Sequence, residues 1–146
     1  MGKTYEWRTT VTIKDTNLLQ NVYFANYFDL QGHAREMWVR DCVPGAVEAM
    51  QQGLVLVTHD ATCKFHKDFY LYDEVVVRCW FDNLRHASVD MFFEFRHAGT
   101  GDVHAEGRQT IVSAGPDHKP VRAPESFRGA ILEYYAGDVA ALAGMA

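Results

Sequence analysis

The sequence predicts an α+β fold, a single domain over residues 1–146 in which an antiparallel five-stranded sheet wraps around a long central helix. Two observations support this prediction. Four long segments with strand patterns fill the second half of the chain, and one strand followed by one long helical segment precedes them. No repeat, linker or low-complexity stretch divides the 146 residues, and a chain of this length buries a proper core.

The first predicted elements are a strand and two helices. Residues 4–13 alternate in polarity, which predicts a strand with one buried face, and Asp15-Thr16-Asn17 ends it because these residues favour turns. Apolar residues then recur every three or four positions over residues 24–41, the pattern of a largely buried helix. Pro44 and Gly45 stop that helix, and a short helix over residues 46–52 ends at Gly53.

The rest of the chain is predicted to be mostly strand. Phe92 is the one aromatic residue out of phase with the buried face of its strand. A closing helix is expected over residues 125–142. A sheet of this size must bury the single long helix on its concave face, which is the hot-dog architecture, and its free edge favours an isologous dimer. The four strands are expected over residues 54–69, 73–84, 87–98 and 102–114, with connections short enough for hairpins.

Charge and composition exclude several classes of protein. The formal net charge is −5, so the chain lacks the basic face that nucleic-acid binding requires, although Lys119, Arg122 and Arg128 form a small basic cluster. The N-terminal residues contain no apolar signal region, and no segment approaches the roughly 18–20 apolar residues of a membrane span. Three widely spaced cysteines suit a reducing compartment. We expect a soluble, cytoplasmic protein without nucleic-acid or membrane partners.

No familiar metal, nucleophile or nucleotide motif is present. The chain has no H-E-x-x-H and no C-x-x-C, and His59 and His66 are expected on opposite faces of one strand because their separation is odd. It has no G-x-S-x-G, G-x-G-x-x-G or Walker sequence, and Cys63, in mid-strand, is expected to be buried rather than nucleophilic. We therefore expect no metal site and no resident cofactor.

The densest polar cluster lies where the first loop enters the long helix. Asn17, Tyr27 and Arg35 bring amide, hydroxyl and guanidinium groups to a segment otherwise covered by apolar residues. An ordinary role is open to each polar residue: Asn17 could form a turn and Arg35 could be a surface charge. However, Tyr27 and Arg35 are eight residues apart and so share a helix face that the sheet should bury, where an arginine needs an anionic or carbonyl partner. From the residues alone, both interpretations stay open.

The stretch DTNLLQNVYFANY resembles the hot-dog acyl-thioesterases of the 4-hydroxybenzoyl-CoA thioesterase type. The signature of that family is roughly D-x-D, a short spacer, V-Y, two residues and N-Y. The continuation FDLQGHARE makes the segment similar to the thioesterases of enediyne polyketide biosynthesis. The similarity runs without a gap over residues 15–36, and the strand order agrees along the whole chain. It implies a hydrolase that acts on thioester bonds.

The chain departs from the parent family at two positions. Asn17 stands at the second acidic position, and Phe24 stands where some relatives have a histidine. An amide neither attacks a thioester well nor abstracts a proton, but the enediyne branch is similar in having this same replacement. The resemblance therefore implies catalysis without an acidic residue. Asn17 would hold the attacking water or donate to the carbonyl oxygen, and Arg35 would supply charge-assisted donors.

The same resemblance implies further binding groups. Backbone N–H groups around residues 24–26 would add a positive field at the helix start. Tyr27 and Phe24 are expected to contact the substrate, together with Thr58 or Thr62, between which the sequence does not choose. Aromatic side chains are also expected to form the acyl pocket: Phe24, Phe28, Phe65 and Phe69.

The implied substrate is a β-ketoacyl polyene carried on the phosphopantetheine of a carrier-protein domain in an iterative polyketide synthase. Hydrolysis would release a β-keto acid that can decarboxylate to a methyl ketone. Docking of an acidic carrier domain would use the small basic cluster. The protein is expected to be a homo-oligomer, a dimer or a dimer of dimers (homotetramer).

Two alternatives stay open at this point. One is a general acyl-CoA thioesterase of the same fold. The other is a non-catalytic hot-dog protein that binds acyl chains, which the absence of acidic and histidine catalysts favours and Arg35 disfavours. A hot-dog dehydratase fits less well, because that chemistry needs a histidine with an acidic partner.

Overall fold

A single antiparallel sheet in the order β1-β3-β4-β5-β2 forms the frame of the molecule. The computed structural model describes residues 2–142, so residue 1 and residues 143–146 of the predicted domain lie outside the described residues. The predicted α+β hot-dog fold is confirmed. The strands are β1 (Tyr5–Thr10), β2 (Val55–Phe65), β3 (Glu74–Asp82), β4 (Ser88–His97) and β5 (Val103–Ala114), and the helices are α1 (Asn26–Cys42), α2 (Ala46–Gln51) and α3 (Glu125–Glu133).

Alternation along the strands gives the sheet two faces. Phe81, Met91 and Gln109 are register neighbours on β3, β4 and β5, and all three are buried on the face that carries α1. Phe92 points to the outer face, as its phase predicts, and its ring stacks on Trp80 with centroids 6.0 Å apart. The inner face therefore holds the core, and a site between sheet and helix must be built from inner-face residues.

Helix α1 is 17 residues long and lies on the inner face. Tyr27 near its start packs on Phe95 with ring centroids 5.5 Å apart, and Trp38 near its end packs on Phe81 at 4.6 Å. Each such buried aromatic side chain contributes about 1.5–3 kcal/mol to folding. The helix ends at Cys42, just before Pro44, which lacks a backbone N–H to continue it. Among residues 2–142, no helix is long and apolar enough to cross a membrane.

Three predicted elements extend well beyond the observed ones, and the strand expected over residues 54–69 ends at Phe65. The first strand ends at Thr10, because a 3-10 turn over Ile13–Asp15 follows. Helix α3 ends at Glu133, because the next residues leave the helix and pair with β3. The Phe81 N–H donates to the Tyr134 carbonyl and the Ala136 N–H donates to the Phe81 carbonyl, both at 2.8 Å. Backbone pairing with the sheet thus replaces the last helical turns.

The predicted basic cluster does not form one surface. Arg128 is only 6% exposed, and its Nη1 donates to the carbonyl oxygens of Arg85 and His86 at 3.3 and 3.5 Å. Arg122 pairs with Glu125 at 2.5 Å. Lys119 is therefore the one member of the cluster left as an exposed cation without a carboxylate partner among residues 2–142.

Candidate active site

A cleft of about 1200 Å³ opens between α1, α2 and the edge strand β2. Gln109 on β5 lies at its base, Leu56 and Thr58 on β2 line one side, and Phe28 and Arg35 on α1 line the other. Most side chains of β2 are exposed, and among residues 2–142 no further strand pairs with its outer edge. The cleft is consequently open along that edge.

One extra residue in β2 decides which of its side chains face the cleft. Thr58 pairs with Ile111 and Asp60 pairs with Thr110, so His59 forms a β-bulge. Thr58 therefore shares the inner face with its partner, whereas Thr62 lies opposite Arg108 on the outer face. In an unbroken strand, two threonines four residues apart would share one face, which is why the sequence did not separate them. The structure brings Thr58 to the cleft and turns the Thr62 side chain away from it.

Arg35 lies at the centre of the cleft and is held by neutral acceptors. Its Nη1 donates to Thr58 Oγ1 at 2.7 Å and to Gln109 Oε1 at 3.1 Å, and its Nη2 donates to the Leu56 carbonyl at 3.3 Å. Among the described residues no carboxylate forms an ion pair with it. A guanidinium has five N–H donors, so two, one on Nη2 and one on Nε, are left for a ligand. Burial lowers the pKa of Arg35, but arginine starts above about 12 and stays charged.

A smaller cavity of about 40 Å³ adjoins the cleft between α1, α3 and the turn after β3. Arg35, Val39 and Leu56 line both spaces, so they form the junction between them. Together the two spaces provide a polar centre and an apolar end, an arrangement that suits an acyl group. The deeper lining of the small cavity is mostly apolar and includes Trp38, Phe81, Met91, Phe127 and Ile131.

Asn17 lies in the loop before α1, away from the residues that line the cleft. Its Oδ1 accepts the Leu19 N–H at 2.9 Å, and its backbone N–H donates to the Asn21 carbonyl at 3.1 Å, which makes an Asx turn. The turn uses the amide oxygen, so Nδ2 is the part of this exposed side chain that a ligand can reach. Within one chain, the structure therefore keeps Asn17 and Arg35 in separate places.

The loop that carries Asn17 is anchored by the buried carboxylate of Asp15. That carboxylate accepts hydrogen bonds from the Thr12 N–H and from Lys14 Nζ, both at 2.9 Å. Burial alone would raise the pKa of Asp15, but these hydrogen bonds outweigh it and lower the pKa. The ionised carboxylate of Asp15 thus stabilises the structure of this loop. The Asn26 N–H, one of the backbone donors expected at the helix start, already donates to the Tyr23 carbonyl at 2.9 Å.

The aromatic residues predicted to bind substrate divide between core and surface. Tyr27 is 2% exposed, and burial raises its pKa to about 12. Phe24 is 58% exposed and packs edge-on against Phe65, with centroids 6.4 Å apart. Phe69 is fully buried, whereas Phe28 lines the cleft. Tyr27 and Phe69 therefore contribute to the core, and Phe28 is the aromatic residue of this set that the structure brings to Arg35.

Two buried glutamines beside Arg35 were not predicted from the sequence as site residues. Gln109 is 4% exposed and Gln31 is fully buried. A signal for each was available. Gln109 lies on the same inner face of β5 as Gly107 and Ile111, and Gln31 follows the buried Leu30 on α1. A polar side chain at a predicted core position must find partners inside the protein, which makes it a candidate for a site.

The described residues offer neither a metal site nor an activated thiol. Within residues 2–142, no group of three or more His, Cys, Asp or Glu side chains is arranged to hold a metal ion. Cys63 faces Gln31 on the inner side of β2, and burial raises the pKa of its thiol to about 11. A thiol with so high a pKa is almost fully protonated at neutral pH and is a poor nucleophile.

Residues 11–131 match the family model described as the thioesterase-like superfamily. The chain belongs to this family. It is accordingly a hydrolase that acts on acyl thioesters. No protein of curated function matches the chain.

Solved structures agree with this membership. The dynemicin thioesterase, described for induced-fit and allosteric effects upon polyene binding, matches with a TM-score of 0.86 and 35% identity over 93% of this chain and 100% of that chain. A 1,4-dihydroxy-2-naphthoyl-CoA thioesterase from Synechocystis gives 0.82 and 18% over 90% and 97% of the two chains. A gentisyl-coenzyme A thioesterase gives 0.77 and 22% over 86% and 98%. The latter two show the shared fold, and the first also confirms the resemblance to the enediyne thioesterases.

Proposed function

We propose that the chain hydrolyses a β-ketoacyl polyene thioester held on the phosphopantetheine of a carrier-protein domain, within an iterative enediyne polyketide synthase. Water adds to the thioester carbonyl and the C–S bond breaks, which gives a β-keto acid and the free phosphopantetheine thiol. The β-keto acid then loses CO₂ and becomes a methyl ketone. The observation that carries the proposal is the guanidinium of Arg35, held by neutral acceptors where the cleft meets the apolar cavity.

The charge on Arg35 suits the chemistry of this step. Addition of water places negative charge on the carbonyl oxygen, and one donor aimed at that oxygen is commonly worth about 2.7–4 kcal/mol. Because no ion pair with a described residue neutralises Arg35, its charge is available to the oxyanion. The two unused N–H groups of the guanidinium also match the two carbonyl oxygens of a β-ketoacyl group. A β-keto substituent makes the thioester carbonyl more electrophilic, so water can attack without a strong base.

The acyl chain would lie in the cleft of about 1200 Å³ beside Arg35, and the apolar cavity of about 40 Å³ would hold at most one end of it. Trp38, Phe81 and Phe127 present aromatic rings there, and flat rings pack well against a conjugated chain. The relative at 35% identity is described as binding a polyene, which supports a substrate of that class. Asn17 does not line the cleft of its own chain, so as the proposed group that orients the attacking water, through Nδ2, it would come from the second copy in a homodimer.

We also propose that the protein works as a homodimer, or as a dimer of such dimers, in the cytoplasm. The outer edge of β2 has unpaired backbone groups, and Val57 and Phe65 on this strand are exposed. A second copy at this edge would close the open side of the cleft. The three free cysteines suit a reducing compartment. Light scattering across a concentration series reports the oligomeric state, and a monomer at all concentrations would contradict this part of the proposal.

The activity is tested by release of free thiol from a β-ketoacyl group on a phosphopantetheinylated carrier domain. Asn17→Ala and Arg35→Ala should each lower kcat by roughly tenfold or more. Arg8→Ala is the matched control, because Arg8 is an exposed cation on β1 that does not line the cleft, and it should behave like wild type. Wild-type rates in both site variants would overturn the assigned roles.

A general acyl-CoA thioesterase is the second candidate, because two chains of the same fold are described as CoA thioesterases. The same acyl group presented on coenzyme A and on the carrier domain separates the two functions by their kcat/KM values. A higher kcat/KM for the CoA ester would show that an acyl-CoA, and not the carrier-bound thioester, is the preferred substrate. No release above background from either substrate would make the cleft an acyl-binding site without catalysis.

A further inference from the structure

Three side chains and one carbonyl form a continuous hydrogen-bonded chain through the core beside the cleft. Arg35 Nη1 donates to Gln109 Oε1 at 3.1 Å, and Gln109 Nε2 donates to Gln31 Oε1 at 3.2 Å. Gln31 Nε2 then donates to the Thr62 backbone carbonyl at 3.1 Å. Both amides lie between the inner face of the sheet and α1, and both are almost completely buried.

The direction of this chain is fixed at both ends. The Thr62 carbonyl can only accept, so Gln31 must turn its NH₂ group toward it and its oxygen toward Gln109. Gln109 must then present its NH₂ group to Gln31, which leaves its oxygen for Arg35. Arg35 can only donate, so it requires that same orientation. A flip of either amide would set two donors or two acceptors against each other in a buried place, which costs about 1–3 kcal/mol per unsatisfied group.

The backbone leaves room for this arrangement. Gly107 lies on the inner face of β5, and a β-carbon at this position would overlap Nε2 and the side-chain carbonyl carbon of Gln31. Cys63, in register with Gly107, faces Gln31 from β2. The amide of Gln31 is thus confined from the sheet side and from β2.

We propose that Gln109 and Gln31 are positioning residues that hold the Arg35 guanidinium in the orientation the oxyanion needs. This inference rests on the proposed function of Arg35. An arginine side chain has a long flexible stem, and a donor that points away from the developing charge contributes little to catalysis. Gln109 holds one of the two N–H groups of Nη1, and Thr58 holds the other. The remaining donors belong to a side chain that lines both the cleft and the cavity.

The side chain at position 109 must also be neutral for Arg35 to act in this way. A glutamate there would bond to the guanidinium even more tightly, but its negative charge would compensate the charge that the oxyanion uses. A glutamine provides the same acceptor oxygen without that compensation. The two substitutions Gln109→Met and Gln109→Glu therefore separate orientation from charge: the first loses the acceptor, and the second keeps it.

The kinetic test compares these two variants with wild type on the carrier-bound β-ketoacyl substrate. Each should lower kcat by about tenfold, with KM changed by less than about threefold, because the lost interaction belongs to the transition state. Gln31→Met should give a smaller loss in the same direction. Arg35→Met/Gln109→Met should be no slower than Arg35→Met alone, because without the guanidinium there is nothing to position. Gln51→Met, at an exposed position on α2, is the matched control and should keep wild-type kcat.

A spectroscopic test reports orientation without any turnover. In protein labelled with ¹⁵N-arginine, a held guanidinium gives separate Nη signals and a freely rotating one gives averaged signals; Arg35→Met identifies the resonances. Wild type and Gln109→Glu should show separate Arg35 signals, and Gln109→Met should show averaged ones. If Gln109→Met does not fold, Gln31→Met tests the orientation instead: it frees the Gln109 amide to flip and should give averaged Arg35 signals, and unchanged separate signals would overturn the positioning role.

The outcomes distinguish this inference from the proposed function. Separate Arg35 signals or wild-type kcat in Gln109→Met would overturn the positioning role while leaving hydrolysis intact. Wild-type kcat in Gln109→Glu would overturn the requirement for a neutral side chain at position 109. Absence of turnover in wild type would instead overturn the proposed function. It would also overturn the expected effects of Gln109 and Gln31 on kcat. Averaging in Gln109→Met together with the two kcat losses is the result that supports the proposal.

Discussion

The side-chain amide of Gln31 occupies the space that a β-carbon on Gly107 would need. Gly107 has no positive φ angle, so the backbone conformation does not require glycine there. What requires it is the amide from α1, which enters the inner face of the sheet at this point. The absence of a side chain on Gly107 thus leaves room for the hydrogen-bonded chain that leads to Arg35.

Gly107→Ala should destabilise the protein by about 1–3 kcal/mol, because the added methyl group displaces Gln31 or separates α1 from the sheet. Gly129→Ala is the control: a β-carbon there meets nothing within 4 Å, and alanine in an exposed helical position should stabilise by about 0.5–1 kcal/mol. Urea unfolding of both variants measures the two changes. Equal stability of Gly107→Ala and wild type would show that Gln31 moves aside at no cost.

Thr58→Val should lower kcat/KM by about tenfold, because it removes the acceptor that holds Nη1 of Arg35 at 2.7 Å, and hydrogen bonds to charged groups are worth about 1.5–3 kcal/mol. Thr62→Val is the matched control on the same strand and should have little effect, because its side chain lies on the outer face. Steady-state kinetics on one substrate checks both. Equal losses in the two variants would contradict the bulge-dependent assignment of faces.

Asp15→Asn should destabilise the protein by about 1–2 kcal/mol, because the carboxylate terminates a 3-10 turn and accepts from Thr12 and Lys14. Asp60→Asn, at an exposed position, should change stability by less than about 0.5 kcal/mol. Denaturant midpoints measured at neutral pH check both values.

The stabilisation from Asp15 should also depend on pH. Its pKa is lower in the folded protein than in the unfolded chain, so its contribution is complete above the unfolded pKa of about 3.9 and is lost as the pH falls further. The stability difference between wild type and Asp15→Asn should therefore be constant from pH 7 to about pH 5 and shrink below about pH 4. A difference that grows on acidification would show that the sign is wrong.

Cys63→Ala should keep kcat within about twofold of wild type, because a thiol with a pKa of about 11 supplies almost no thiolate at neutral pH. Iodoacetamide should likewise leave the activity intact at pH 7. Arg35→Ala, assayed in parallel, shows that the measurement detects a loss. Inactivation by iodoacetamide that Cys63→Ala abolishes would identify a cysteine nucleophile.

Local patterns were enough to predict most of the fold. The spacing of apolar residues on α1, the stop at Pro44-Gly45 and the alternation on β4 each have one clear structural solution. The end of α3 was not predictable from local pattern, because alanine-rich sequence after Glu133 favours helix. Pairing of Tyr134 and Ala136 with Phe81 is a long-range contact that local sequence does not encode.

The site was predicted less completely, for a related reason. Arg35 was predicted as a site residue because it lies on a helix face that the sheet should bury. The resemblance of the surrounding segment to a known family then suggested its role. Gln31 and Gln109 are far apart in the chain, and their significance depends on meeting each other across the helix–sheet interface. Arg128 was counted with surface charges, but the turn after β3 covers it and binds it through backbone carbonyls. The catalytic and binding roles assigned to the site residues all stay predictions: Asn17, Phe24, Tyr27, Arg35, Thr58 and Thr62.

The bulge at His59 divides β2 into two segments whose side chains alternate in opposite phase. Deletion of His59 would remove the bulge, and the side chains of β2 would then alternate in one phase along the whole strand. One of the two segments would exchange its inner side chains for its outer ones. Thr58 and Leu56 would leave the inner face of the sheet, or Ala61 and Cys63 would. The shape of this cleft therefore depends on the number of residues in β2 as well as on their identity.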